Sequence, residues 1–506
     1  MSRGKKAIKN TAFSFLMEIA EIISALVVPR LILANFGSEY NGVVNSVAQF
    51  LAAVSLLRTG IGGATRAALY KPLAENDTGK INAIMSATNR FMKKVALIIV
   101  FVVLALAVTY PFIVAEEFDW LFTFSLILII GLEKFVDAMF GLCGLTYLQA
   151  RQENYIACII KTISAITNIL VVVLLVRVTK SIHVIKLGTV LAISIYPVCM
   201  CLFVRYRHHI NYKAKPDNNA IKQRWDVFFH QIATFVMNNT GMVILTLFSN
   251  LITVSIYSVY NLISNGIHKL VYNVTNGLEG AFGSMIAKKE KQVLKNNFIT
   301  VEYLLFFVST VVYAIAMIMI LPFVSLYTAG VTDAEYVQPL FAFLLVIAQF
   351  FLCIRQPYQL LMQAAGHYKQ TKRFAIAEPI INICISVAGV ICFGLVGVVI
   401  GMLAAVLYRT GVYVWYVSRN FISGTIARFL KLCAISAVQF FVIIVIYNLL
   451  PLKENSNYFI WCINSLICGL VAMAVLALFS AVFFRNEAKL LTNKLKTALF
   501  KRERRR

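Results

Sequence analysis

Charge is scarce in this chain, and negative charge is scarcest. Of its 506 residues only 14% are Asp, Glu, Lys or Arg, against about 25% in an average globular chain. Acidic residues number 22 against 47 basic ones, a net charge of +25. Long polar stretches are absent too: the connections between apolar runs are roughly 4–30 residues, too short for a soluble catalytic domain. No G-x-x-x-x-G-K-[ST] loop, H-E-x-x-H pair or G-x-S-x-G turn occurs, so an ATP-driven pump would need a partner to supply the nucleotide site. All ten cysteines lie inside apolar stretches, and Cys199-x-Cys201 has no second pair. That pattern argues against a disulfide framework and a zinc site. No enzymatic activity, metal or cofactor is expected.

Apolar surface is what the chain has in excess. Hydrophobic residues make up 60% of it, more than a soluble fold can hide, so a polytopic membrane protein is expected. Cutting at charged or turn-rich breaks leaves fourteen segments near 11–33, 40–64, 95–115, 120–147, 154–176, 187–204, 227–249, 254–283, 300–328, 335–363, 374–394, 398–418, 432–450 and 458–484. Each can cross a hydrocarbon core of ~30 Å. The N-terminal MSRGKKAIKN runs into the first segment without a small-residue cleavage site and reads as a retained anchor. Alternate connections carry 36 Lys and Arg on one side and four on the other, namely Arg177, Lys180, Lys186 and Lys453. The positive-inside rule then places both termini in the cytoplasm. The basic excess is thereby topology, and nucleic acid is not an expected partner. The tail 485–506 ends in KRERRR and reads either as an interfacial helix on anionic lipid or as a frayed basic end.

The chain also echoes itself. Tyr147-Leu148-Gln149-Ala150 falls on Leu361-Met362-Gln363-Ala364, and Asn168-Ile169 on Asn382-Ile383, both at an offset of about 214 residues; Pro111-Phe112 and Pro322-Phe323 follow at about 211. The shared order predicts two parallel halves: an N-terminal lobe of helices 1–6 over 1–206, a basic linker over 207–226, a C-terminal lobe of helices 7–12 over 227–420, two further helices over 421–484, and the basic tail. The expected fold class is therefore all-α and polytopic, with two six-helix lobes and two C-terminal helices around a central cavity. Within the spans, Gly397-x-x-x-Gly401 suits close helix packing.

Seven basic residues lie inside these spans and, apart from Glu335 at the very start of the tenth, seven acidic ones. A charge near the bilayer centre costs about 2.5–3.5 kcal/mol on insertion scales, so these need partners or a wet cavity. Glu133, Lys134 and Asp137 can pair among themselves, while Glu302 and Glu378 read as near the cytoplasmic edge, where a carboxylate can snorkel. In the eighth span Asn261, Asn265, His268, Tyr272, Asn276 and Glu279 share a helical face with Lys269 beside them. The first span aligns Thr11, Ser14, Glu18 and Glu21; the second Asn41, Asn45, Thr59 and Arg66; the seventh Gln231, Thr234, Asn238 and Ser249. Such stripes either line a hydrophilic vestibule or hold helices together through hydrogen bonds. Arg30 and Arg58 lie off their helices' polar faces, which leaves packing or helix-end snorkelling open for both.

Several stretches resemble a known group. Val-Val-Pro-Arg-Leu at 27–31, Phe-Gly-Ser-Glu-Tyr-Asn-Gly at 36–42, Arg-Thr-Gly-Ile-Gly-Gly-Ala-Thr-Arg at 58–66 and Leu-Met-Gln-Ala-Ala-Gly-His-Tyr-Lys around Gln363 are similar to the polysaccharide transporter (Wzx-like) flippases of the multidrug/oligosaccharidyl-lipid/polysaccharide exporter superfamily. The resemblance covers nearly the whole chain. It implies a flippase of the bacterial plasma membrane that moves an undecaprenyl-diphosphate-linked oligosaccharide from inner to outer leaflet by alternating access. Its implied partners are that lipid-linked glycan, anionic lipids, a coupling proton or sodium ion, and a polysaccharide polymerase or glycosyltransferases. On this reading Arg58, Arg66, His268 and Lys269 attract the diphosphate, Asn238, Asn261, Asn265 and Tyr272 line the cavity, and Glu18 and Glu21 couple transport to the ion. A lipid II flippase and a cation-coupled multidrug exporter of the same superfamily are the alternatives.

Overall fold

Every regular element in the described residues is helical, as lipid requires of a spanning chain that must satisfy its own backbone hydrogen bonds. The computed structural model describes residues 3–53, 56–217, 235, 239–273, 275, 278–485 and 487. The helices are α1 (Arg3–Phe36), α2 (Ser38–Ala52), α3 (Leu56–Glu75), α4 (Thr78–Thr109), α5 (Trp120–Val136), α6 (Leu142–Ala150), α7 (Asn154–Val178) and α8 (Ile182–Arg207). There follow α9 (Asn239–Phe248), α10 (Leu251–Asn273), α11 (Leu278–Ala287), α12 (Lys291–Tyr327), α13 (Pro339–Ile354) and α14 (Gln356–Ala364). The last four are α15 (Tyr368–Phe393), α16 (Leu395–Asn420), α17 (Thr425–Leu449) and α18 (Tyr458–Phe483). Among the described residues nine helical stretches are long and apolar enough to cross a membrane unaided. The chain is thus an all-α, multi-pass membrane protein. Much of the linker, Asn238, Gln231, Thr234, Asn276 and the tail from 488 lie outside the described residues.

Four of the expected spans comprise more than one helical element among the described residues. The second divides into α2 and α3, the eighth into α10 and α11, and the tenth into α13 and α14. The fourth is α5 and α6 joined by a π turn, Asp137–Gly141. Hydropathy averages over a window and so reads through a one-turn interruption. One consequence is that Asn41 and Arg66, aligned on a single wheel above, belong to separate helices.

The chain forms two compact units. Unit 1 comprises residues 1–258 with 330–334, and unit 2 comprises 259–329 with 335–506. In unit 1 a core of Val47, Leu51, Met85, Met92, Ile127 and Leu148, each without meaningful exposure, packs α2, α4, α5 and α6 together. In unit 2 Ala314, Ile443, Ala472 and Leu476 join α12, α17 and α18. Large apolar side chains also face outward: Phe101 is 65% exposed, Leu174 61% and Leu466 70%. Only 22% of the most apolar window of α7 is buried inside the protein, which leaves most of this helix's apolar surface for lipid.

Two glycine contacts set the local geometry. Gly394 turns the chain between α15 and α16 at φ +53°, and a Cβ on Gly397 would sit 2.0 Å from the carbonyl carbon of Gly389. A Cβ on Gly401 would meet Ser386 Oγ at 2.1 Å, so the Gly397-x-x-x-Gly401 pair is what lets these two helices touch backbone to backbone. In unit 1, Gly37 at φ +89° leads into α2, whose Ser38 donates its backbone N–H (2.6 Å) and hydroxyl (2.7 Å) to the Asp333 carboxylate.

Candidate functional site

The cavity of unit 1 is walled by α3 and α6. It has a volume of about 420 Å³ and is lined by Arg58, Gly62, Gly63, Arg66, Leu142, Leu145, Thr146 and Gln149. Residues 58, 62, 66 on α3 recur at helical spacing, as do 142, 145, 146 and 149 on α6, so each helix gives the cavity one face. Glycine at 62 and 63 keeps the α3 wall low between the arginines. Arg58 is ion-paired with Asp137 at the start of the π turn, its second terminal nitrogen 3.4 Å from the other carboxylate oxygen. Arg66 donates to Gln149 Oε1 at 2.7 Å. Among the described residues no carboxylate lies within ion-pair distance of Arg66, so two guanidinium groups face one carboxylate and the site carries net positive charge. A guanidinium presents planar paired donors suited to carboxylate or phosphate oxygens. Asp137 and Gln149 were not among the expected site residues. Their signal in the sequence was weak: an acid in an apolar span, and an amide in a stretch echoed at Gln363.

The remaining candidates fall elsewhere. In unit 1, Glu21 on α1 pairs with Lys161 on α7 at 2.6 Å, and Glu18 is half-buried on the same helix. On α2, Asn41 donates to Ser255 at 2.7 Å and Ser258 at 3.2 Å, and Ser46 shares a 2.7 Å hydrogen bond with Thr246. This part of the α2 stripe therefore holds α2 to α9 and the first turns of α10. In unit 2, Asn261 is half-buried on α10 while Asn265 and Lys269 are exposed. His268 places Nδ1 3.6 Å from Cys353 Sγ and its ring 6.0 Å from that of Tyr272. Asn238 lies outside the described residues.

Unit 2 also holds two charge clusters of a different kind. Glu378 on α15, with no exposed surface, is clamped between Arg355 and Arg409, and Arg409 Nε donates to Tyr413 at 2.8 Å. Glu302 on α12, 1% exposed, accepts from Arg428 and from the Tyr358 hydroxyl. These carboxylates do not snorkel at an edge as their sequence positions suggested; partners on neighbouring helices hold them in the core, because an unpaired buried charge would be prohibitive.

At the ends of α6 and α8 in unit 1 lies a third, partly exposed cluster. Arg151 Nε donates to Glu153 at 3.2 Å, and His208 Nε2 lies 3.7 Å from the same carboxylate. Burial, seconded by the Arg151 charge, draws the His208 pKa below the usual imidazole value. Asn10 on α1 closes the corner, donating to the Gln152 carbonyl at 3.1 Å and accepting from the Tyr155 N–H at 2.8 Å.

No protein-family model matches the chain, and no curated protein matches it by sequence. Solved structures do share its fold. It is similar to the lipid II flippase MurJ in an inward closed conformation, with a TM-score of 0.71 and 16% identity over 94% of this chain and 99% of that one. It is similar to an inward-facing multidrug resistance MATE family transporter of the MOP superfamily, with a TM-score of 0.62 and 15% identity over 83% of this chain and 98% of that one. The Vibrio cholerae MATE transporter VcmN in its bent form gives a TM-score of 0.53 and 13% identity over 83% of this chain and 98% of that one. At these identities the likeness is one of fold: a multi-pass helical architecture shared by flippases and transporters.

Proposed function

We propose that this chain is a flippase that carries a lipid-linked oligosaccharide, joined to undecaprenyl through a diphosphate, across a bacterial plasma membrane by alternating access. The observation that carries the reading is the net positive cavity of unit 1, where Arg58 and Arg66 share one wall without enough carboxylate to neutralise them. A positive site within a membrane chain is costly to maintain, and a multiply charged phosphate headgroup offsets that cost. The reading takes the repeated halves, 1–206 and 227–420, as the rocking lobes, with both termini cytoplasmic by the positive-inside count. Within it His268 and Lys269 add basic character along α10, Asn261, Asn265, Tyr272 and Asn238 bind the glycan, and Glu18 with Glu21 answers to a proton or sodium gradient.

A second reading, flipping of lipid II, is favoured by the overlap of the chain with the lipid II flippase fold over 94% of its length. Both readings share the diphosphate and differ in the sugar. The test is reconstitution in proteoliposomes with fluorescent undecaprenyl-diphosphate-linked glycans of the two kinds. Inner-to-outer movement that Arg58→Ala with Arg66→Ala abolishes supports the diphosphate site, and the preferred glycan separates the readings. Unchanged movement in that double variant overturns the site.

A further inference from the structure

Arg58 does not stand in the cavity as an open cation. Asp137 already engages it through both carboxylate oxygens, and the pair is accessible, with Arg58 20% and Asp137 35% exposed. Asp137 begins the π turn between α5 and α6, an interruption that recurs at functional positions in helices. Gly141 makes room for it: a Cβ there would lie 2.4 Å from Asp137 Oδ1. The carboxylate leaves Arg58 incompletely satisfied, since its buried Nε has no hydrogen-bond partner among the described residues. Among the described residues, Arg66 across the glycines has only the neutral Gln149 amide oxygen as a side-chain acceptor.

These relations describe a competition. A carboxylate offers one charge and two oxygens to one arginine. A diphosphate offers at least two charges and oxygens enough to bridge two, so it outbids Asp137 where a singly charged headgroup does not. We infer that Asp137 is the resident counter-anion of the cavity, a positioning and specificity residue that holds Arg58 in the empty state, yields it to a diphosphate bridging Arg58 and Arg66, and reclaims it to release the headgroup. This rests on the flippase reading and adds a selection rule to it: the site discriminates by headgroup charge.

The test uses the purified full-length protein in detergent, with inorganic pyrophosphate and inorganic phosphate as calorimetric probes, and the same protein in liposomes for flipping. In Asp137→Asn, pyrophosphate is expected to bind about fivefold tighter, the worth of a partly exposed ion pair that no longer competes. The preference for pyrophosphate over phosphate narrows, and flipping slows because release is impaired. Gly141→Ala pushes the Asp137 carboxylate aside without removing it and is expected to move binding in the same direction, which keeps the test decisive should Asp137→Asn fold poorly. Unchanged or weaker pyrophosphate binding in these variants, alongside wild-type binding that Arg58→Ala abolishes, overturns the counter-anion role and leaves the diphosphate reading standing. Wild-type protein that binds no pyrophosphate, or an Arg58→Ala, Arg66→Ala double variant that binds it normally, overturns both.

Discussion

In unit 1, Arg58 and Arg66 are half-buried on the wall of a cavity of about 420 Å³ and face a single accessible carboxylate, whereas in unit 2 Arg355 and Arg409 close on Glu378, which has no exposed surface. Both sites hold two arginines and one acid inside a membrane protein, though in unit 1 only Arg58 is paired with the acid. They differ in what can reach them. The unit 1 pair borders open space, where on the proposed function a ligand replaces its partner; the unit 2 cluster is walled by α13, α15 and α16 and can only be kept or broken. On the proposed function the same side chain is a binding group in one setting and a structural rivet in the other, with burial setting them apart.

That contrast can be broken most forcefully at Glu378. Its replacement by Ala leaves two buried guanidinium groups without an anion, and the expected cost is about 3–5 kcal/mol, read as loss of folded, monodisperse protein and a lowered unfolding temperature in detergent. A Glu378→Ala protein that melts like the wild type would remove the distinction between the two units. The converse experiment is Arg58→Ala with Arg66→Ala. Here stability is expected to change by no more than about 1 kcal/mol, because a partly exposed pair contributes little, while flipping in proteoliposomes falls at least about tenfold, roughly 1.4 kcal/mol of lost headgroup binding.

Lys269 on α10 sharpens the comparison further. It is exposed, so Lys269→Ala is expected to leave the unfolding temperature unchanged and to lower flipping a few-fold, about 0.5–1 kcal/mol, with a larger loss when combined with Arg58→Ala. The smallest effect concerns His208, whose depressed pKa means that the unfolded chain binds the proton more readily than the folded one. The stability it contributes is present above the unfolded imidazole pKa of about 6.5 and is lost as pH falls through the lower folded value. His208→Gln is therefore expected to flatten the decline in unfolding temperature between about pH 7.5 and 5.5, with no change in flipping at neutral pH.

Much of the fold was legible residue by residue. The apolar runs mark the helices, the Gly394 turn separates α15 from α16, and Gly397-x-x-x-Gly401 marks their contact. The interruptions were not legible, since Asp137–Gly141 lies in a segment apolar enough to read as continuous helix. Of the candidate site, Arg58 and Arg66 could be named from their presence in or beside a span. Their neighbours Asp137 and Gln149 could not be assigned to them, being 79 and 83 residues away in sequence. The burial of Glu302 was missed for the same reason: its partner Arg428 is 126 residues distant and reads as part of a polar connection.

The sequence by itself determined that this is a helical chain with many membrane passes, because hydropathy and span length are sums over contiguous residues and need no knowledge of neighbours. It also determined that bases and acids lie within those spans in nearly equal number. Only the tertiary structure decided which arginines are sealed by carboxylates and which border open space. Pairing depends on distances between side chains on different helices and on the water that reaches them, and a nearly equal count of opposite charges is compatible with every such arrangement.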